Sequence, residues 1–218
     1  MKILALDSSG LVASVAVVEN DTLLAEYTVN YKKTHSQTLL PMLDEISNMT
    51  ELDLSTIDAI AVAGGPGSFT GLRIGSATAK GLGLALEKPL ISIPTTAAIA
   101  YNIWDTDKFV CPIMDARRNQ VYTGVYCYTD HRLDTVWEQD TMSIEALAEG
   151  LNCLDHEVIF LGDGVAVYRE KLEALLTIPF SFAPAHVNRQ RAAAVGALAE
   201  VYYKEGKIQT AEEHERNT

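Results

Sequence analysis

A repeated plan constrains this chain more than any single motif: a strand, a hairpin, a glycine loop and a helix occur twice, roughly 100 residues apart. Ile3 to Leu6 reads as a short apolar strand ending in the turn Asp7-Ser8-Ser9-Gly10. Val12 to Val18 resumes β-rich character, Glu19-Asn20-Asp21 turns the chain, and Leu23 to Val29 gives a third strand. Ala59 to Ala63 is a compact apolar strand that runs into Gly64-Gly65-Pro66-Gly67-Ser68-Phe69-Thr70-Gly71 and a helix from Thr70 to Leu86. Phe109 to Met114 then ends at Asp115, as the first strand ended at Asp7. Val121 to Tyr128 follows, and Val158 to Leu161 runs into Gly162-Asp163-Gly164 and a helix from Val165 to Leu176. The pattern implies a pseudo-duplicated α/β protein of two lobes, 1–105 and 106–218, each built β-β-β-α-β-α. The competing arrangement is one open sheet with helices on its faces. A last helix, Asn188 to Glu205, carries an Asn cap and Gly206 beyond its end, and is expected to pack back on the first lobe. The polar segment Gln209 to Thr218 is expected to fray.

Composition narrows the function. At 48% hydrophobic and 21% charged, 218 residues suit two lobes and exclude a disordered chain. With 29 acidic residues against 17 basic and a formal charge of -12, the surface repels phosphate backbones. A nucleic-acid substrate would thus be gripped mainly by another protein. Cys111, Cys127 and Cys153 offer neither a disulfide framework nor a C-x-x-C pair, which points to a reducing, cytoplasmic setting. No run of about 18 apolar residues exists to span a membrane. Asp7 interrupts the apolar N-terminus, and no secretory leader is expected there.

Two helices are laid out for contact. Ser36 is placed to cap one whose Leu39, Leu40, Leu43 and Ile46 form an apolar stripe, with Pro41 costing it a hydrogen bond. Asp53 to Asp58 reads as a short helix. In Thr70 to Leu86, Leu72, Gly75, Ala79, Gly83 and Leu86 share one side, and the small residues spaced by four let another backbone approach. Leu90 to Ile93 is a strand, and Thr95 can cap a helix reaching Trp104.

The glycine loop, with Gly64, Gly65 and Gly67 around Pro66, opens a helix, so amides from Ser68 to Leu72 can face an anion or a partner protein. A structural turn is the alternative. The loop matches neither G-x-x-x-x-G-K-[ST] nor G-x-G-x-x-G. Asp7 stands where a two-lobed phosphotransfer protein carries a magnesium-directing carboxylate, or it caps its own turn. Asp115 is followed by Ala116-Arg117-Arg118, not by a phosphate turn. Arg73 opposes the helix dipole, which implies a partner or a buried carboxylate such as Asp7. Arg117 and Arg118 pose the choice between a contact and a solvated turn. His35, His131, His156, His186 and His214 form no H-x-x-x-H pair, and His156-Glu157 lacks the second histidine of H-E-x-x-H, which disfavours a zinc peptidase. His35 reads as a helix-capping neighbour. No serine lies in G-x-S-x-G.

The segments ILALDSS, HSQTLLPML, GGPGSFTGLRIGSATAKGLGLALEKPLISI and MDARRNQVYTGVY resemble the bacterial TsaB (YeaZ) family, paralogues of TsaD/Kae1 within the glycoprotease-like superfamily. The likeness covers nearly all of the first 205 residues. It implies an actin-like ATPase (ASKHA) fold, α/β, of two ribonuclease-H-like lobes whose mixed sheets are flanked by helices. In the catalytic paralogue an H-x-x-x-H pair binds metal. Here Ile93-Pro94-Thr95-Thr96-Ala97-Ala98-Ile99 puts Thr95 and Ile99 in those places, and neither can replace an imidazole ligand.

The resemblance therefore implies a non-catalytic partner of TsaD. Their complex, with the ATPase TsaE, transfers threonylcarbamoyl from threonylcarbamoyl-AMP to N6 of adenosine 37 in tRNAs reading ANN codons. No tightly bound cofactor is expected on this chain, ATP/ADP and Mg belonging to the assembly, and a homodimer is expected when the partner is absent. Ser36, Leu39, Leu40, Leu43, Leu72, Gly75, Ser76, Ala79 and Gly83 are the expected partner interface. Asp7, Gly65, Gly67, Arg73, Asp115, Arg117 and Arg118 are structural or phosphate-proximal candidates. The tail TAEEHERNT departs from the family's P-x-Y-L-R-like segment, which bears on any ternary contact made there. The alternative function is an independent ASKHA-type ATPase or small-molecule kinase using Asp7 and the glycine loop; a metallopeptidase is a third.

Overall fold

In a computed structural model describing residues 1–31 and 37–216, the repeat becomes two five-stranded mixed sheets with the same strand order. Strands β1 (Lys2–Asp7), β2 (Val12–Glu19) and β3 (Thr22–Asn30) form an antiparallel meander. Strands β4 (Ala59–Ala63) and β5 (Leu90–Ile93) extend it in parallel on the β1 side, giving β3-β2-β1-β4-β5. Strands β6 (Phe109–Arg117), β7 (Gln120–Thr129), β8 (Arg132–Ser143), β9 (Val158–Leu161) and β10 (Phe180–Phe182) repeat it as β8-β7-β6-β9-β10. Two sheets, not one open sheet, are what the chain builds.

The helices are α1 (Leu39–Thr50), α2 (Phe69–Leu86), α3 (Thr95–Ala100), α4 (Ile144–Leu154), α5 (Val165–Leu175) and α6 (Ala192–Lys204). One compact unit comprises Met1–Ala98 with Gln190–Thr218, and the other Ile99–Arg189. The compact units divide at 98/99 and 189/190, and α6 lies against β1 and β2 of the first sheet. Its Gly196 faces Ala5 and Val18, where an added Cβ would come within 3.2 Å and 2.8 Å. With α6 on one face and α1 on the other, β2 is buried from Val12 to Val18 and is apolar there except for Ser14.

Within the first core, Leu4, Leu6, Val15 and Val17 pack with Leu39, Met42, Leu43 and Ile46 of α1. Leu40 instead points outward at 54% exposure. Positions i, i+3, i+4 and i+7 counted from Leu39 take Met42, not Leu40, to the core. Pro41 costs nothing, since at the third helical position its amide would lack an intrahelical acceptor. Thr38 occupies the cap position without a side-chain cap bond; Ser36 and His35 lie outside the described residues. In the second core, Ile113, Val121, Val125 and Phe160 pack with Ile144, Leu147, Leu151 and Leu172.

Several element ends differ from expectation for identifiable reasons. Between Asp53 and Asp58 only a 3-10 turn, Leu54–Thr56, forms, with the Asp53 carboxylate accepting from the Ser55 amide. Helix α3 stops at Ala100, where Asn102 and Ile103 amides turn back to Ile99 and Ala100. Helix α6 starts at Ala192 and not at Asn188, because its caps come from other strands. Ser14 Oγ accepts from the Ala192 amide at 2.9 Å, and Glu26 accepts from the Ala193 amide at 3.1 Å while pairing with Arg191.

Candidate functional site

Asp7 leaves β1 fully buried, and its Oδ1 accepts from the Ser9 amide at 2.9 Å and the Ser9 hydroxyl at 2.6 Å. The carboxylate caps its own turn. That turn is the surface on which the glycine loop closes. The Ser68 amide donates to Ser9 O at 2.7 Å, and Ser8 Oγ donates to Gly71 O at 2.8 Å. A Cβ on Gly67 would stand 2.3 Å from the same Ser9 oxygen, and one on Gly75 2.5 Å from Ser8 Oγ. At Gly67 the atom met is backbone, so close approach requires glycine there; at Gly75 it is a side-chain hydroxyl. At Gly65, φ is +105°, the left-handed region that favours glycine.

Four further donors are also engaged. Gly64 donates to Ile93 O, Gly65 to Thr95 Oγ1, Gly71 to Ser68 Oγ and Leu72 to Ser68 O. Those four amides are unavailable to an anion, while the amides of Gly67, Phe69 and Thr70 find no acceptor among the described residues. The loop is a packing joint between α2, β5 and the Asp7 turn.

The second unit repeats the aspartate cap of the joint, with different loop contacts around it. Asp115 Oδ1 accepts from the Arg117 amide at 2.9 Å, the same two-residue reach that Asp7 makes to Ser9. Gly164 donates to Ile113 O at 3.0 Å, and Gly162, at φ +102°, would bring a Cβ within 2.2 Å of that oxygen. Asp163 Oδ1 accepts from the Asp115 amide, and the Tyr168 hydroxyl donates to Asp115. Burial first, then the Asp115 charge, raises the Tyr168 pKa, so the phenol remains a donor.

The expected interface residues divide between two faces. Gly71, Gly75, Ala79 and Gly83 are buried, and the last abuts Leu90 and Ala211. The small-residue line therefore meets the chain's own sheet and tail. Leu39 and Leu43 are core residues, while Leu72 and Ser76 are half-buried. What faces outward is Leu40 and Met49 on α1, with Phe69, Arg73 and Leu84 on α2. Arg73 does not pair with Asp7: its guanidinium lies over the Phe69 ring, 3.9 Å from the centroid.

The tail, expected to fray, is a seated strap. Gln209 and Leu90 exchange both backbone bonds, at 2.9 and 2.8 Å, along the outer side of β5. Thr210 and Glu213 form a capping box, with Thr210 donating to Glu213 Oε2 and the Glu213 amide donating to Thr210 Oγ1. His214 is buried, its Nε2 2.9 Å from Ser76 Oγ.

Burial, with Lys80 adding to it, lowers the His214 pKa below the ordinary histidine value. The neutral ring is thus the seated form. Strap stability is complete above a pH of about 6.5 and is lost as pH falls through the lowered folded value. Backbone NMR shifts of Gln209 and Leu90 should move together with a midpoint below about 6.5. A midpoint above that value, or none, contradicts the assignment.

Thr95 is buried and engaged with Gly65 through both its amide and its hydroxyl. Ile99 is buried and apolar. Among the described residues no three His, Cys, Asp or Glu side chains gather as a metal site, and no helix is long and apolar enough to cross a membrane.

Residues 22–217 match the family model "TsaD: tRNA N6-adenosine threonylcarbamoyltransferase". The tRNA threonylcarbamoyladenosine biosynthesis protein TsaB of Bacillus subtilis (strain 168) is 35% identical over 176 residues, covering 81% of this chain and 77% of the relative. Among solved structures, YeaZ from Pseudomonas aeruginosa superposes with a TM-score of 0.84 at 27% identity, covering 98% of this chain and 97% of that one. The inorganic polyphosphate/ATP-glucomannokinase of Arthrobacter sp. strain KM, at 16% identity and TM-score 0.55 over 93% of this chain and 99% of its own, shares the fold alone. That fold is the actin-like ATPase (ASKHA) fold, with two mixed sheets flanked by helices. With this likeness spread over most of its length, the chain belongs to the TsaB (YeaZ) family, the non-catalytic paralogues of TsaD.

Proposed function

We propose that this protein is the non-catalytic partner of a TsaD-type protein in the complex that transfers threonylcarbamoyl from threonylcarbamoyl-AMP to N6 of adenosine 37 in tRNAs reading ANN codons. The observation that carries the reading is the pair Thr95 and Ile99, one engaged with the glycine loop and the other apolar, on a chain that otherwise follows TsaB. A TsaE-type ATPase joins the assembly, to which ATP, ADP and Mg belong. Nucleic acid is met through the complex, in keeping with a formal charge of -12. The three free cysteines suit a reducing, cytoplasmic setting.

The docking surface in this reading is the outer face of α1 and α2, centred on Leu40, Phe69, Arg73 and Leu84. The same face pairs two copies when no partner is present. Leu39, Leu43, Leu72, Gly75, Ser76, Ala79 and Gly83 then act by shaping or backing these helices.

Mass-resolved chromatography of the chain, alone and with a TsaD-type protein, tests the reading when joined to a modification assay with TsaE, ATP and threonylcarbamoyl-AMP. The expected result is a mixed species whose tRNA modification requires this chain. A chain that never associates, or that turns over ATP-Mg by itself, overturns it.

A further inference from the structure

The role of TsaD partner leaves Arg117 and Arg118 without a task, although the fold holds them in place at evident cost. Arg117, Arg118 and Asn119 form the β6–β7 turn with φ values of +68°, +52° and +63°, three successive left-handed residues that all bear side chains. The base of the turn is tied from several sides. Asp115 takes the Arg117 amide and, at 3.2 Å, its guanidinium. The Tyr168 hydroxyl reaches Asp115 and Gln120 O. The Asn119 side chain donates to Glu145 at 2.8 Å and accepts from Lys171, whose ammonium also meets Glu145 at 3.1 Å. Hydrogen bonds from its own amide and from Lys171 hold the Glu145 carboxyl below its ordinary pKa, so the carboxylate stays charged.

Among the described residues one cation at this turn has no carboxylate partner, the nearby Asp163 being turned to the Asp115 amide. Asp115 answers Arg117 and Glu145 answers Lys171, while Arg118 is exposed with no ion pair among the described residues. A chain of net charge -12 therefore raises one unpaired guanidinium on a braced tip. Its neighbours Arg117, Asn119 and Gln120 are exposed and polar, so the tip lacks the apolar centre on which protein interfaces rely. A phosphate contact needs only charge and donors in a fixed place. A narrow projection is also the form in which an acidic protein can touch a polyanion without bringing its whole surface near.

We propose that the Arg117-Arg118 tip contacts the phosphate backbone of the RNA held by the assembled complex, with Arg118 making the contact and Arg117 bracing it. This rests on the function proposed above. The test uses the complex with a TsaD-type partner carrying Arg118→Glu, Arg118→Gln or Arg118→Lys in this chain. Assembly is read by mass, and tRNA affinity is read across a salt series.

Assembly should be unchanged in every variant. Arg118→Glu should weaken tRNA binding about tenfold at low salt and lower the salt slope by about one, with Arg118→Gln intermediate and Arg118→Lys near wild type. Wild-type affinity and slope in Arg118→Glu overturn the proposal. So does lost assembly, which would make the tip a protein contact. If the wild-type chain itself fails to assemble, the parent reading falls and this one with it, and the separate mass measurement identifies that case.

Discussion

Phe69→Asp is expected to disperse both the homodimer and the mixed complex while leaving the chain folded. Phe69 is 68% exposed at the first residue of α2, with Arg73 stacked over it, and Leu84 (53%) and Leu40 (54%) are also exposed on α2 and α1. An aromatic anchor at an interface centre contributes at least about 2 kcal/mol, so its loss weakens association by about 30-fold or more. A carboxylate in its place must also be desolvated, which adds to the loss. The isolated chain should not suffer, because the first turn of α2 has no acidic residue and an Asp there complements the helix dipole. Sedimentation across a concentration series, paired with thermal unfolding, checks both halves. Unchanged association at an intact thermal midpoint would move the interface off this face.

Gly67→Ala should act in the opposite sense, on the fold and not on association. Its Cβ would meet backbone, the Ser9 carbonyl oxygen at 2.3 Å, while the Ser68 amide holds that same oxygen at 2.7 Å. Neither side can swing away as a side-chain tip would. The strain is expected to cost about 2–3 kcal/mol, lowering the thermal midpoint by about 5–10 °C. Gly81→Ala is the control, since a Cβ there meets nothing within 4 Å and Ala is the better helix former by about 1 kcal/mol. Equal effects from the two would mean that the joint is looser than its geometry. At Gly75 the atom met is instead a side-chain hydroxyl, Ser8 Oγ, so a bulky residue there first displaces the Ser8 bond to Gly71 O.

The duplication was legible because each statement of it is built from short apolar strands punctuated by Asp and Gly, a pattern that local chemistry dictates. Strand β8 was not, since Arg132–Ser143 alternates charged and half-buried residues at a sheet edge. Strand β10, three half-buried residues, is too short to show a period. Ser143, which accepts from the Ala146 amide, was the available signal for α4.

The glycine loop announced special backbone in the sequence but not what the backbone approaches. Only the fold brings Ser9 against Gly67 and Ser8 against Gly75. For the same reason a line of small residues that suited a partner proved to face β4, β5 and the tail. The strap had a readable sign in Thr210 and Glu213, three apart, although its anchor on Ser76 is 138 residues away in sequence.

The borrowed caps of α6 have a consequence for biosynthesis. As the chain leaves the ribosome, β1 to β5 emerge with the Ala5 and Val18 face bare, and with Ser14 and Glu26 lacking the amides they will later receive. Residues 99–189, continuous in sequence, have all their strands in hand before α6 is translated. The unit made first is thus finished last, and its nascent sheet carries an apolar surface through the translation of about 90 further residues. For this chain the interval before α6 docks is the time of greatest exposure to aggregation and to chaperones.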